Sequence, residues 1–432
     1  MLSKYFKNKI VQNAGWIIAE KIIQMAISLI ISLITARYLG PANYGIINYA
    51  AAYTGIFFSL STLGINSIIV KEIKDNPLEE GKVMGTTLGL QLLASILSYI
   101  SILGIVLFVD AGETTTLLVV GLNCISILCN VLGTMRFWFQ SKLKSKITVS
   151  CTLIAYIITS IYKVLLVVNG ESVVFFAIAI SIDYLICGML LYISYRRNKG
   201  QKLKFSWRYG KILLGKSHHF ILSGIMISIY AQTDKFMLKQ MVNSTEIGYY
   251  STACAICNMW CFVLSAIIDS MQPSIIDAHK TNKDMFDKKN KLLYAIVFYV
   301  SACVSVVFSI FAELIVYILY GTAYLSAAMP LRIVTWYTSF SYLGVARNTW
   351  IVCNNKQKYL KYVYLISAVL NVFLNILFIP LWGASGAATA SVITQLATLI
   401  FPLFIRDFRA NTLLMVDAIL LKGLRRKNNN NF

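Results

Sequence analysis

Positive charge divides this chain as regularly as hydrophobicity does. Twelve apolar stretches, near 14–35, 44–67, 83–109, 115–135, 147–168, 172–195, 217–241, 247–271, 291–319, 326–353, 361–382 and 385–406, are each long enough to cross about 30 Å of hydrocarbon. Of the 39 Lys and Arg residues, 32 fall in every second gap between those stretches. They sit ahead of the first, as Lys4, Lys7 and Lys9, then in the gaps from Lys71, Arg136, Arg196, Lys280 and Lys356, and again from Arg406 onward. Cationic loops stay on the cytosolic side, so both termini are expected there. The first stretch is too long for a secretory signal and lacks a small-residue cleavage site, which predicts that it stays as an anchor.

Composition excludes several classes. A chain of 432 residues that is 58% hydrophobic and 13% charged is too apolar for a soluble protein. The net charge of +21 does not imply nucleic acid, because it is spread over seven cytosolic segments and not gathered on one motif. Membrane lipids are the partner that such a distribution implies. Cys254, Cys257 and Cys261 read as small packing residues in an apolar helix, and the three His make no ligand cluster, so no metal or cofactor is expected. There is no Gly-rich phosphate loop, no HExxH and no Ser/His/Asp grouping on one side of the membrane. The external gaps hold only a few residues each. No catalytic residue is therefore assigned, and an integral-membrane polymerase or glycosyltransferase would need a larger loop.

An internal repeat organises the spans. Gly45-Ile-Ile-Asn48 and Gly248-Tyr-Tyr-Ser251 align at an offset of 203 residues. Asn48, Ala52, Gly55, Ser59, Thr62 and Asn66 share one helical face, and Ser251, Ala255, Asn258, Phe262, Ser265 and Asp269 hold the equivalent positions. Glu20, Gln24, Ser28 and Thr35 form a stripe on the first span, and Ser228, Gln232, Lys235 and Lys239 form one on the seventh. Small residues permit close helix packing, but several charged stripes together favour a water-accessible cavity. The expected architecture is all-α and membrane-spanning, with two pseudo-symmetric lobes of six helices in the same orientation. Residues 1–195 form the first lobe, 196–216 a basic cytosolic linker, 217–406 the second lobe and 407–432 a basic cytosolic tail. The prolines are expected in loops or near span ends, leaving helices intact. The tail over 411–427 reads either as an interfacial amphipathic helix or as a basic anchor, and Asn428–Asn431 as low complexity.

Charges inside the bilayer cost a few kcal/mol on insertion scales, roughly 2.5–3.5 at a helix centre, so they mark a cavity or a partner. The deepest are Lys163, Asp183, Asp234 and Lys235, with Glu20 and Lys21 in the first span, Glu313 in the ninth and Arg332 and Arg347 in the tenth. Lys163 and Asp183 suit pairing across adjacent helices. As a set, these charges favour a polar translocation path.

Ordered motifs carry a resemblance. Ala36-Arg37-Tyr-Leu-Gly-Pro41 with Tyr44-Gly45 and Tyr49-Ala50 joins the first two spans. Asp234-Lys235, Gly248-Tyr-Tyr-Ser251-Thr-Ala253, Tyr320-Gly321-Thr-Ala-Tyr324 and Ile379-Pro380-Leu-Trp-Gly383-Ala-Ser-Gly386-Ala-Ala388 follow in order. Over nearly its whole length the chain resembles the Wzx-type polysaccharide flippases of the multidrug/oligosaccharidyl-lipid/polysaccharide exporter superfamily, which implies a MATE-like fold. The resemblance implies alternating-access movement of undecaprenyl-diphosphate-linked oligosaccharide across a bacterial plasma membrane, for O-antigen, capsule or exopolysaccharide synthesis. A polysaccharide polymerase and a chain-length regulator are the partners it suggests. Lys21, Lys163, Lys235 and Arg332 then become candidates for the anionic diphosphate or sugar acids, beside Glu20, Gln24, Asn48 and Asn258 on the path. Asp183 and Asp234 become candidates for ion coupling. A MATE-type drug/cation antiporter or a lipid II flippase remains the alternative; the first would favour an acidic, aromatic-lined cavity, and the second usually carries two further helices.

Topology is directly testable. Cysteines introduced singly near Gly112, Asn169 and Ser385 in a Cys-free background should react with an impermeant reagent outside. Those near Lys144, Gly200 and Lys283 should not, and strong external labelling at Gly200 would overturn the arrangement.

Overall fold

The structure, a computed structural model, describes residues 9–356 and 359–422. Lys4, Lys7, Lys358 and the tail from Gly423, including Asn428–Asn431, lie outside the described residues. Among those described there is no strand. The first helices are α1 (Lys9–Ser61), α2 (Ile69–Asp75), α3 (Glu80–Val109), α4 (Thr114–Cys129) and α5 (Arg136–Ser141). They are followed by α6 (Ser145–Val168), α7 (Val173–Ala177), α8 (Ala179–Arg197) and α9 (Trp207–Met241). Then come α10 (Ser244–Asn258), α11 (Cys261–Thr281), α12 (Lys283–Ile310), α13 (Ala312–Tyr320), α14 (Ala328–Cys353), α15 (Leu360–Ile400) and α16 (Arg406–Ile419).

Nine helical segments among the described residues are long and apolar enough to cross a membrane. Two of them, of 42 and 43 residues, contain a sharp bend. In α1 the bend is Gly40, at φ 69°, and in α15 it is Gly383, at φ 54°. An L side chain is penalised in that backbone region and glycine is not, so the glycine makes the turn. Pro41, with no N–H to leave unpaired, opens the second arm of α1. That arm starts at Pro41 and α10 starts at Ser244, the same 203-residue spacing that aligns Gly45 with Gly248.

Helix continuity departs from expectation in both directions. Pro273 lies inside α11 instead of in a loop, whereas Pro41 and Pro380 lie next to the bends at Gly40 and Gly383, where one span ends and the next begins. Conversely, the fourth span passes through a 3₁₀ segment, Asn130–Met135, before α5, and the eighth is interrupted between α10 and α11. A helix survives proline when packing outweighs one lost ladder bond. Short 3₁₀ pieces allow the chain to change direction at a helix end without exposing its carbonyls.

The chain divides into two compact units, Met1–Phe236 and Met237–Phe432. The first unit takes in the 196–216 segment and α9 as far as Phe236. The reason lies in α3. Gly81, Gly85 and Gly89 recur every fourth residue, forming a groove, and the segment 201–205 lies in it. A methyl group added at Gly85 would stand 2.6 Å from both the amide nitrogen and the carbonyl oxygen of Lys204. The Lys204 amide donates to the Gly81 carbonyl (3.0 Å), the Gly81 amide to Gln201 Oε1 (2.9 Å), and the Ser206 amide to Thr86 Oγ1 (3.1 Å). Beyond the groove, the buried carboxylate of Glu72 in α2 accepts from Tyr209 Oη (2.8 Å) and Lys216 Nζ (2.7 Å) at the start of α9. Glu80, also buried, accepts from Trp138 Nε1 (2.9 Å) and from Lys142. Two cations of the charge-rich gaps, Lys216 and Lys142, thus neutralise buried acids, which loss of either cation would leave uncompensated.

Higher in the first unit, the polar stripes of α1 and α9 meet. Ser59 and Ser228 hydroxyls lie 2.5 Å apart, Gly55 accommodates Gln232, and Phe236 packs edge-on to Tyr49 and Tyr53. This part of the stripe is helix packing through small residues, not a cavity wall.

In the second unit α12, α14 and α15 pack together, and α16 joins their core through Phe408, Met415 and Ala418. Arg347, buried in α14, donates to the Leu399 carbonyl (3.3 Å) and Thr412 Oγ1 (3.5 Å). The first turns of the tail are therefore a packed helix.

Replacing Gly85 by leucine should eject the 201–205 segment. Trypsin should then cut at Lys202 or Lys204, sites protected in the native chain, and overpacking should destabilise the protein by about 1–3 kcal/mol in thermal unfolding. Unchanged resistance to trypsin would mean that the groove is dispensable.

Candidate functional site

A cavity of about 470 Å³ opens inside the first unit, between the first arm of α1, α6 and α8. Helical periodicity builds its walls. Glu20, Gln24 and Ser28 step by four along α1, Thr152 and Tyr156 do so along α6, and Asp183 and Cys187 along α8. Lys21 lies beside Glu20 and is exposed, while Tyr184 and Met25 supply apolar surface. The fourth charged lining residue is Arg136, delivered by the 3₁₀ segment that ends the fourth span. Its Nε donates to the Gly133 carbonyl (3.0 Å), which holds the side chain back toward the cavity.

The charges alternate in sign. Arg136 interacts electrostatically with both Glu20 and Asp183, and Asp183 in turn with Lys163. Thr152 is in hydrogen-bond contact with Glu20, and Thr159 Oγ1 lies 3.4 Å from Asp183 Oδ1. Tyr156 is hydrogen-bonded to Ser28, joining α6 to α1. The result is a chain of carboxylate, guanidinium, carboxylate and ammonium across four helices, α1, α5, α8 and α6. Low local dielectric strengthens each interaction, and the alternation allows the group to exist away from bulk water. Such a site offers an anion two cations, Lys21 and Arg136. It offers a proton or metal cation two carboxylates.

The sequence-derived candidates divide accordingly. Glu20, Lys21, Gln24 and Asp183 line the cavity, and Lys163 stands one helical turn beyond Thr159, coupled to Asp183. Asn48 is half-buried and donates to its own helix at the Tyr44 carbonyl (2.9 Å). Asp234 is buried and Lys235 half-buried in α9, neither lining this cavity. In the second unit, Asn258 is exposed at the end of α10, and Arg332 forms an exposed ion pair with Glu313 (2.8 Å). Arg136 was not a sequence candidate. A cation just past an apolar span reads as a topological charge, and only the turn at Asn130–Met135 redirects it. The adjoining glycine, Gly133, is the one local signal of that turn.

A family model described as "Polysaccharide biosynthesis protein" matches residues 10–279, well over half the chain. The chain is 23% identical over 408 residues to the capsular polysaccharide biosynthesis protein CapF of Staphylococcus aureus, covering 90% of this chain and 97% of that one. Among solved structures, the lipid II flippase MurJ in an inward closed conformation superposes with a TM-score of 0.71 at 16% identity, over 93% of this chain and 90% of that one. An inward-facing multidrug resistance MATE family transporter of the MOP superfamily gives 0.69 at 12% identity, over 91% and 95%. These likenesses show the fold: the chain is an all-α, multi-pass membrane protein of MATE and MurJ architecture.

Arg136 and Glu20 should be energetically coupled. A double-mutant cycle with Arg136→Gln and Glu20→Gln should give an interaction of about 0.5–3 kcal/mol in thermal stability, the range for residues that share a polar network. Strict additivity would separate Arg136 from the cavity charges.

Proposed function

The chain belongs to the polysaccharide biosynthesis protein family, and from that premise we propose that it is a flippase, not an enzyme. Its cargo is an oligosaccharide repeat unit linked through a diphosphate to a polyprenyl carrier. It moves this unit from the inner to the outer leaflet of a bacterial plasma membrane for surface polysaccharide synthesis. The likeness to a capsular polysaccharide biosynthesis protein favours that pathway. We further propose twelve crossings in two six-span lobes, 1–195 and 217–406, with both termini cytosolic and alternating access as the mechanism.

The observation that carries the reading is the family match over 10–279 taken with the charged cavity inside the same region. A diphosphate and its hydrated sugars need cationic and hydrogen-bonding groups below the headgroup level, whereas the polyprenyl tail needs none. Lys21 and Arg136 supply the cations, and Gln24, Ser28, Thr152 and Tyr156 supply neutral polar atoms. Glu20 and Asp183 balance the charge when cargo is absent and are suited to exchange a proton or cation during the cycle; Asp234 is a second candidate for that role. Lys163 tunes Asp183. Lys235 and Arg332 act outside this cavity. A polymerase and a chain-length regulator are the expected downstream partners.

Two acids in the cavity are also what a drug/cation antiporter would use, so the experiment distinguishes the two. Deleting the gene should abolish one surface polysaccharide and leave its lipid-linked repeat units on the cytosolic leaflet. Complementation with Lys21→Gln/Arg136→Gln should restore membrane-inserted protein but less than about a tenth of polysaccharide output, given that a hydrogen bond to a charged group contributes about 1.5–3 kcal/mol. Loss of drug resistance with normal polysaccharide would replace the flippase reading by the antiporter.

A further inference from the structure

The helix α16 sorts its side chains by direction. Phe408, Thr412 and Met415 face the second unit and are buried. Its two carboxylates are engaged by the same unit: Asp407 pairs with Lys356 (3.0 Å) and Tyr359 Oη (2.6 Å), and Asp417 with Lys291 (3.8 Å). Asn411 Nδ2 donates to Tyr294 Oη (2.8 Å), and Tyr299 Oη to the Ile419 carbonyl (2.6 Å), fixing the helix at both ends. About a third of a turn round lies a second, exposed apolar stripe of Leu413, Val416 and Leu420. Arg406, Arg409 and Lys422 are exposed as well, and Phe404, 81% exposed, precedes them.

We propose that this outer face is a docking surface for anionic phospholipid, with the stripe in the acyl boundary and the three cations on lipid phosphates. The occupant follows from charge complementarity. The acids of α16 turn inward to unit cations, so the charge left outside is positive, beside apolar side chains too few to span a membrane. A helix with that pairing lies in the interfacial plane. Each cation near an anionic surface strengthens the association about fivefold. The helix directly follows the apolar segment ending at Phe404, which brings it to the membrane surface, and the sequence continues with Arg425, Arg426 and Lys427. Lipid on the outer face then holds α16 against Arg347 and the core of the second unit.

The test compares hydrogen exchange of peptides from 404–422 in the full chain, reconstituted in nanodiscs of phosphatidylcholine with or without phosphatidylglycerol. Phosphatidylglycerol should slow exchange in α16 several-fold, and Arg406→Gln/Arg409→Gln/Lys422→Gln should abolish that difference. Arg406→Lys/Arg409→Lys, which keeps the charge, should retain it. Equal exchange in both lipids, or a difference that survives the glutamine variant, would overturn the proposal. So would loss of the difference in the lysine variant, which would indicate a shape-specific partner such as a protein in place of a lipid surface.

Discussion

The constraint on which everything else depends is that a charge below the membrane surface must have a partner or water. It accounts for how two buried acids of this chain are held. Glu72 and Glu80 are buried and are held by Lys216 and Lys142, each with an aromatic donor beside it. Arg347, enclosed by the second unit, is committed to the carbonyl and hydroxyl that dock α16. In the cavity of the first unit charges of both signs share a solvent-sized space, and there they alternate. Charges in such a site complement one another, Arg136 interacting with both Glu20 and Asp183.

Much of the architecture was legible because the bilayer imposes it. Span length is a consequence of hydrocarbon thickness, which acts on sequence directly, and the 203-residue repeat recurs in where the second arm of α1 and α10 begin. The stripe of Glu20 and Gln24 was legible for a similar reason: a helical period of 3.6 places them on one wall. What escaped the reading depended on turns. Arg136 reaches the cavity only because six residues before it wind as a 3₁₀ helix, which no periodicity announces. The small residues shared by α1 and α9 signalled contact, but composition does not distinguish packing against a helix from lining a space, and the Ser59–Ser228 approach decides for packing.

The glycines of α3 illustrate a different limit. Gly81, Gly85 and Gly89 form a small-residue ridge of the kind that usually brings two helices together. Here the groove receives a non-helical segment, held by backbone groups at Lys204 and by the Gln201 and Phe205 side chains. The partner segment reads as a solvated linker because Lys202 and Lys204 are exposed. Its attachment combines the Lys204 backbone with the Gln201, Leu203 and Phe205 side chains.

That attachment gives folding a timetable. The groove and the segment that fills it are separated by 120 residues. At a synthesis rate of about 5–20 residues per second, the groove waits on the order of ten seconds for its occupant. Four spans enter the membrane in that interval while the α3 surface stands open, its backbone accessible to any passing strand. The groove can therefore be filled only after the chain has passed α8 and reached residue 206. A ribosome that stalled near residue 197 would leave six inserted helices and an unfilled cleft, an intermediate that membrane quality control is equipped to find.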